Sequence, residues 1–331
     1  MPEEGTGCPP ASAETEAHMI LTVTLNPAVD KTYQTGELFC GRVNRMRSMT
    51  NIAGGKGINV SRILRQYGRE VTATGFLGGF PGQWIEKELL ETGMKCEFVR
   101  ISQETRSSMN IVADNGYVTE ILEPGPQITE AEMEEFMDRF DRLLPDCSIV
   151  VLSGSAPRGV PDEIYAELIR RAAAQGKEAV LDSSGELLRK GIAAEPAVIK
   201  PNRREMEYVI GHRLNGREGL LEAAAFLRRN GVSLAAVSLG NRGLLMAGKE
   251  GLFYARPPRV RTRNTVGCGD CVVASMVMSR MDGLGEEEML RRAVALSAAS
   301  ASCLESGSVP KELAESLYDQ VVVERLQPEQ G

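Results

Sequence analysis

No stretch of the chain approaches the roughly 18 to 20 consecutive apolar residues that span a bilayer, so no transmembrane helix is expected. Residues 1–18 (MPEEGTGCPPASAETEAH) lack a basic segment followed by an apolar one, which sets aside a secretory leader and leaves the cytoplasm as the expected location. Positive charge is not in excess: 38 Lys and Arg stand against 45 Asp and Glu, giving a formal charge of -7. The basic residues are scattered among acids, so neither nucleic acid nor an anionic membrane surface is an expected partner. The seven cysteines, Cys8, Cys40, Cys96, Cys147, Cys268, Cys271 and Cys303, are odd in number and mostly far apart, which is not a disulfide framework and fits reduced thiols. Cys268 and Cys271 form a CxxC, but a structural zinc needs a second ligand pair, and the only histidines are His18 and His212. Zinc is not expected. The pair reads instead as two small residues packed beside a glycine turn, or as a redox-sensitive pair, since a thiol near a helix start has a lowered pKa.

Against those absences, 42% hydrophobic and 25% charged residues suffice for one large α/β unit, with or without a small appendage. Residues 1–18 carry no apolar periodicity and are expected to be a disordered extension before a single domain over 19–325. Within it, Val60, Ile63, Leu64 and Tyr67 have the spacing of a buried helix face. The same spacing returns at Met133, Phe136, Met137 and Phe140, at Ile164, Leu168, Ile169 and Ala172, and at Leu220, Ala223, Ala224 and Leu227. Between them lie short apolar runs, SIVVLSG, EAVLD, AVIK and LAAVSLG, each the length of a strand buried on both faces. That alternation predicts a mostly parallel sheet covered by helices. Two stretches, 32–52 and 96–123, carry β-type alternation instead. The second holds Asn115-Gly116 between MNIVAD and YVTEIL, the signal of a two-residue hairpin with both turn residues at positive φ. Together they predict a small antiparallel flap flanking the GGKG loop.

The strongest motif is Asn264-Thr265-Val266-Gly267-Cys268-Gly269-Asp270, which leads into a helix-compatible run. Glycines allow close backbone approach, and the amides and dipole at a helix start favour an anion, so this reads as a phosphate cradle. An acid at that position would repel phosphate yet could accept a proton from a nucleophilic hydroxyl. Asp270 is thus either a base or a helix cap. Ala53-Gly54-Gly55-Lys56-Gly57-Ile58-Asn59 is a second glycine cluster leading into a helix, without the GxxxxGK(S/T) spacing of a P-loop. Its lysine and asparagine suit a phosphate and a sugar hydroxyl. Asp30 follows the first strand, where it is either a turn former or a ligand group. Asn202 and Glu205, in Lys200-Pro201-Asn202-Arg203-Arg204-Glu205, make a capping box or help order a hydrated magnesium ion near ATP phosphates. Ser238-Leu239-Gly240 also ends a strand.

Taken in order, TLNPAVD, AGGKGIN, TGFLGG, SGSAPRGVP, LDSSGELL, IKPNRRE, VSLGNRG and NTVGCGD resemble the motifs of the ribokinase/PfkB carbohydrate kinases, from Met19 almost to the end of the chain. The chain looks closest to the branch containing tagatose-6-phosphate kinases and 1-phosphofructokinases. The resemblance implies a ribokinase-like α/β fold, a doubly wound mostly parallel sheet with a small antiparallel β lid that often forms a homodimer contact. It implies ATP and Mg²⁺, with Asp270 as base and Gly267, Cys268 and Gly269 in an anion hole. Asp30, Gly54, Gly55, Lys56, Asn59, Arg106 and Ser155 would hold the sugar phosphate. Lys200, Asn202, Glu205, Ser238, Gly240, Gly243 and Thr265 would serve MgATP, with Glu205 meeting the metal through water. Ala and Ser residues at 297–301 and Gly307 would line the adenine pocket. Family members usually have Ala in place of Cys268 and Ser in place of Cys271.

On the lid, TEILE resembles the tagatose-6-phosphate kinases, with Leu122 and Asn110 where 1-phosphofructokinases more often have Asn and Lys. NPAVDKTY leans the other way. The balance favours tagatose 6-phosphate over fructose 1-phosphate, and either reaction yields a ketohexose 1,6-bisphosphate. Lys56 and Arg106 supply charge that an unphosphorylated sugar would not need. A non-catalytic sugar-phosphate-binding regulator is the alternative of another class, and the intact Asp270, Gly267, Gly269 and Lys56 count against it. The missing dinucleotide fingerprint counts against a nicotinamide dehydrogenase.

Overall fold

A computed structural model describes residues 19–303 and 307–326, and the expected extension at 1–18 lies outside them. Strands β1 (Met19–Thr24), β2 (Ala28–Thr35) and β3 (Ser48–Gly54) precede helix α1 (Lys56–Gln66). Then β4 (Val71–Gly78), α2 (Gly79–Glu91), β5 (Lys95–Ile101), β6 (Arg106–Ala113) and β7 (Val118–Leu122) lead to α3 (Glu130–Leu143). Alternation follows in β8 (Cys147–Ser153), α4 (Ile164–Ala174), β9 (Glu178–Asp182), α5 (Gly185–Ile192), β10 (Val198–Ile199), α6 (Arg203–Ile210) and α7 (Gly216–Arg229). The remainder comprises β11 (Leu234–Ser238), β12 (Leu244–Ala247), β13 (Leu252–Arg256), α8 (Cys268–Met281), α9 (Glu286–Ala301), α10 (Lys311–Tyr318) and β14 (Val322–Arg325).

Ten strands form one sheet in the order β14-β13-β12-β11-β10-β9-β8-β1-β4-β5. From β11 to β5 every neighbour is parallel, and β12, β13 and β14 extend the sheet antiparallel. Successive side chains of a strand point to opposite faces, and both faces are covered. Ile20, Ile149 and Val151 pack into a core with α1, α2, α8, α9 and α10, while Leu21, Val150 and Leu152 pack against α3 to α7. Burial on both sides explains why these strands read as unbroken apolar runs. From β1 the sheet grows through β4 and β5 to one edge and through β8 and β9 towards the other, which puts a topological switch point at the carboxyl ends of β1 and β8.

A second, four-stranded sheet in the order β3-β2-β6-β7 is the lid. Its β2–β3 and β6–β7 pairs are antiparallel, and β2–β6 in the middle is parallel. The lid ranges differ from the expected 32–52 and 96–123. The first lid segment reaches from Ala28 to Gly54, and Lys95–Ile101 pairs with β4 as an edge of the large sheet. Phe98 and Val99 pack into the two opposite cores, while Lys95, Glu97 and Arg100 alternate with buried residues, an edge-strand pattern that matches a lid strand in sequence. The hairpin turn also differs from the two-residue form. The Gly116 amide donates to Ala113 O at 2.9 Å and the Ala113 amide to Tyr117 O at 2.9 Å, and Gly116 alone of the turn pair has positive φ. This is a type I turn closed by a glycine bulge, the next commonest hairpin connection.

Candidate active site

At the switch point the lid, α1 and the ends of the central strands enclose a cavity of about 200 Å³. Thr24 and Asn26 line it beyond β1, Gly55 and Lys56 at the start of α1, Arg106 on the lid, and Ser153 to Ser155 beyond β8, with Ser183 and Ser184 beyond β9. A larger cavity, about 500 Å³, opens at the other end of the strands among Ser148, Glu178 and Leu234, and none of the expected site residues line it.

Lys56 opens α1, and its Nζ lies 3.1 Å from Asp182 Oδ1. One turn further on the same helix face, Asn59 Nδ2 donates to Asp270 Oδ2 at 2.8 Å. Lys200, just beyond β10, reaches the same Asp182 oxygen at 3.2 Å. Lys56, Asn59, Asp182, Lys200 and Asp270 therefore form one connected cluster drawn from four separate segments. Asp270 sits in the first turn of α8 and is buried. Burial, aided by the negative charge of Asp182, pushes its carboxyl up to about 7, against the pull of Lys56, the Asn59 hydrogen bond and Lys200. A carboxylate poised there is matched to proton transfer near neutral pH. Burial works to lower the Lys56 pKa, but the charges of Asp182, Asp270 and Glu205 outweigh it and hold the lysine above its ordinary value.

Gly267, the N-cap of α8, has φ 86, a left-handed conformation that favours glycine. The amides of the first helical turn lack intrahelical acceptors. That of Cys268 leans on Thr265 O at 3.4 Å, while Gly269 packs beside Lys200 Nζ, where a Cβ would approach to 3.4 Å. Burial pushes the Cys268 thiol up to about 11, and Cys271 is raised for the same reason, so the lowered thiol pKa expected from the helix start is not found. Ser297 and Ser300 of α9 lie beside the Cys268 thiol, which places this part of the expected adenine stretch next to the start of α8. Gly307 packs against Asn59 and Arg62 of α1.

On the lid side, burial raises Asp30 to about 6, opposed by Arg106, a hydrogen bond with Ser108, and Arg62. Gly54 leaves room for the Asp30 carboxyl group, because a Cβ at that position would overlap it, 2.7 Å from Oδ1 and closer still to Oδ2, unless Asp30 moved. Arg106 Nη2 donates to Asn26 O at 3.3 Å, and Asn26 Nδ2 donates to Ser155 Oγ at 3.2 Å, joining lid, β1 and β8.

Asn202 caps α6, accepting the Glu205 amide at 2.9 Å while Glu205 Oε2 accepts the Asn202 amide at 2.7 Å, so the capping box is present. Asn202 is also bridged to Ser238 at the end of β11. The structure does not draw every expected residue inward. Thr265 is exposed on the loop, Gly240 opens a 3₁₀ turn beyond β11, and Gly243 backs onto the Ala255 carbonyl, where a Cβ would clash. The sheet accounts for Gly243 without a ligand. Asp182 was not singled out from sequence although it sits in LDSSGELL; an acid at the carboxyl end of a parallel strand was the available signal. Buried Thr24 Oγ1, Asn26 Oδ1, Asn59 Oδ1, Ser153 Oγ and Asp182 Oδ2 have no hydrogen-bond partner among the described residues, as expected where a polar ligand completes the set.

A family model described as pfkB family carbohydrate kinase matches residues 21–312. A tagatose-6-phosphate kinase of Staphylococcus epidermidis is 35% identical over 308 residues, covering 92% of this chain and 99% of that protein. A solved structure titled as a possible 1-phosphofructokinase from Thermotoga maritima superposes with a TM-score of 0.86 at 31% identity, covering 94% of this chain and 100% of that one. Phosphofructokinase-2 from Escherichia coli, solved in complex with substrates and products, gives 0.85 at 26% identity, covering 92% and 99%.

Proposed function

This chain belongs to the pfkB family of carbohydrate kinases, and from that premise we propose that it transfers the γ-phosphoryl group of ATP to the free primary hydroxyl of a ketohexose monophosphate, first of all tagatose 6-phosphate. The observation that carries the reading is Asp270, a buried carboxyl raised towards neutrality at a helix start, with the Lys56 and Lys200 cations acting on it. Asp270 accepts the proton of the C1 hydroxyl as its oxygen attacks the γ-phosphorus, and the bond from phosphorus to the β-phosphate bridging oxygen breaks to release ADP. The amides of Gly269 and Asp270, with Lys200 close by, meet the charge on the phosphoryl group in flight. Lys56 lies on the other side of Asp182 and neutralises phosphate oxygens. Asp30, held by Gly54 and Ser108, accepts sugar hydroxyl protons, while Arg106 and Ser155 take the phosphate already on the sugar.

Among the described residues no three acidic, histidine or cysteine side chains cluster tightly enough to cage a metal directly. Glu205, with Asn202 beside it, would hold a hydrated Mg²⁺ on the nucleotide. When bound, Mg²⁺ would supply charge neutralisation between the phosphates. Ser238, bridged to Asn202, and Gly240 in the turn that follows would border the nucleotide side. Such a reaction would run in the cytoplasm, where ATP is available.

Fructose 1-phosphate, attacked through O6, is the second reading. It is favoured by NPAVDKTY after β1 and by the likeness to the Thermotoga maritima structure. Base and anion hole serve both. One face of the lid also exposes Met49 and Ile121, an apolar surface on which a second copy of the chain would pair as a homodimer. The deciding experiment is ATP consumption with Mg²⁺ and, separately, tagatose 6-phosphate, fructose 6-phosphate and fructose 1-phosphate at matched concentrations. Preference for tagatose 6-phosphate is expected. Preference for fructose 1-phosphate keeps the mechanism and exchanges the substrate, and no turnover with any of the three sinks the reading.

A further inference from the structure

Asp182 ends β9 and is fully buried, yet it performs no capping or turn function. Both of its ion pairs are made by one oxygen: Oδ1 meets Lys56 Nζ at 3.1 Å and Lys200 Nζ at 3.2 Å. Oδ2 has no hydrogen-bond partner among the described residues. The two lysines come from different parts of the chain, one at the start of α1 and one beyond β10. Lys200 is almost wholly buried, whereas Lys56 keeps 40% of its side chain exposed to the cavity. Two ammonium groups this close repel each other, and a buried cation costs folding energy unless it is paired. A single carboxylate between them solves both problems, and the strand beneath holds it rigidly: Asp182 is in register with Ser153 of β8, and Lys200 N donates to Leu181 O at 3.1 Å. Of the two lysines it pairs, Lys56 lines the cavity and Lys200 packs beside Gly269 at the start of α8, so the ion pairs join the cavity wall to the cradle and are not confined to the core.

We propose that Asp182 is a positioning residue for phosphoryl transfer, fixing the ammonium groups of Lys56 and Lys200 on either side of one carboxylate oxygen beside Asp270. Both cations then stand in place before the phosphates arrive, with no reorganisation required during the reaction. The inference rests on the reading of Asp270 as the base. The groups acting on Asp270 are Lys56 and Asn59 from α1, Asp182 from β9, Lys200 beyond β10, and Cys268 and Cys271 on its own helix. Asp182 is the negative member of that set that opposes ionisation most directly, so neutralising it eases ionisation of the base while releasing the lysines.

The experiment is the pH dependence of kcat and kcat/KM in D182N, with thermal unfolding as the check on folding. The expected result is a fall in kcat of about a hundredfold, the scale of a misplacement of about 1 Å, with a much smaller change in KM. It should come with a shift of the acidic limb to lower pH by about one unit. A purely structural role would lower the yield of folded protein and leave kcat of the folded fraction close to that of the parent, since the loss of the Asp182 charge alone moves only the limb. If D182N does not fold, D182N/K200M is compared with K200M, since the double variant removes the buried cation that would be stranded. The same downward shift is expected there. An unmoved limb with kcat within about threefold of the parent overturns the inference in either background. Failure of the kinase reading itself would appear separately, as a wild-type protein that consumes no ATP with any sugar phosphate.

Discussion

Asn59 donates its side-chain amide to Asp270 Oδ2 at 2.8 Å, tying the helix that follows the first glycine loop to the acid that opens α8. A hydrogen bond to the charged form of a carboxyl lowers its pKa, and here that bond restrains a rise to about 7 caused chiefly by burial. Activity should therefore increase as pH rises through about 7 and level off above it, because the base must be ionised. In Asn59→Ala the restraint is gone and the acidic limb of kcat/KM moves upward by about one unit, opposite in sign to D182N. A profile that moves down or stays put contradicts the assignment of that limb to Asp270.

Asp270→Asn should remove most turnover, by at least about a thousandfold, while both substrates still bind. It should also stabilise the protein. The folded-state pKa of Asp270 lies above the ordinary carboxyl value of 3.8, so stability from this group is highest at low pH and is lost as pH rises from about 4 to about 7. At pH 7.5 the neutral amide avoids that cost, and a gain of up to about 4 kcal/mol is expected. Thermal unfolding of the two proteins at pH 5 and pH 7.5 is the check, with the difference larger at the higher pH.

The body of the fold was legible because strands buried on both faces and helices with one buried stripe leave different patterns, as SIVVLSG and the Phe136–Phe140 spacing do. Lid boundaries were not, since β5 alternates like a lid strand while pairing at the edge of the large sheet. Asp270, Lys56 and Asn59 stood out through their glycine-rich settings at helix starts. Asp182 was hidden by its neighbours: in LDSSG an acid before two serines reads as a turn, and only the sheet register brings it to Lys56 and Lys200. The Cys268 thiol departs from the helix-start expectation because burial outweighs the helix start.

Gly54→Ala tests how tightly the lid strand and Asp30 are fitted. The added Cβ would overlap the Asp30 carboxyl, so Asp30 must swing away or β3 must shift. The expected outcome is destabilisation of about 1–3 kcal/mol and a rise of about tenfold or more in KM for the sugar phosphate, with KM for ATP little changed. Adding Asp30→Ala should restore most of the stability but not the sugar affinity. Additive losses in this double-mutant cycle would show that the two positions do not interfere.

Asn202 can be a cap, a nucleotide-side ligand, or both, and two substitutions separate these. Asn202→Ala loses the hydrogen bond from the Glu205 amide and should cost about 1 kcal/mol. Asn202→Ser keeps a capping oxygen and should recover nearly all of that stability. If Asn202 also serves MgATP, the serine variant retains a raised KM for ATP despite normal unfolding. Equal recovery of stability and KM reduces Asn202 to a cap.

The outer part of the lid carries the last expectation. The register puts Tyr33 opposite Met49 and Ile111, and Met109 opposite Ile121, so these side chains share one face of the small sheet, away from Asp30 and Ser108. Met49 and Ile121 are 54% and 47% exposed there, more than an isolated apolar face of this kind normally tolerates. In a homodimer built on this face the double variant Met49→Asp/Ile121→Asp should sediment as a monomer while its unfolding temperature in dilute solution stays close to that of the dissociated parent, because neither side chain belongs to a core. Sedimentation as a dimer with both aspartates in place would mean that the copies meet elsewhere. A wild-type protein that is monomeric at every concentration tested would remove the lid from the assembly altogether.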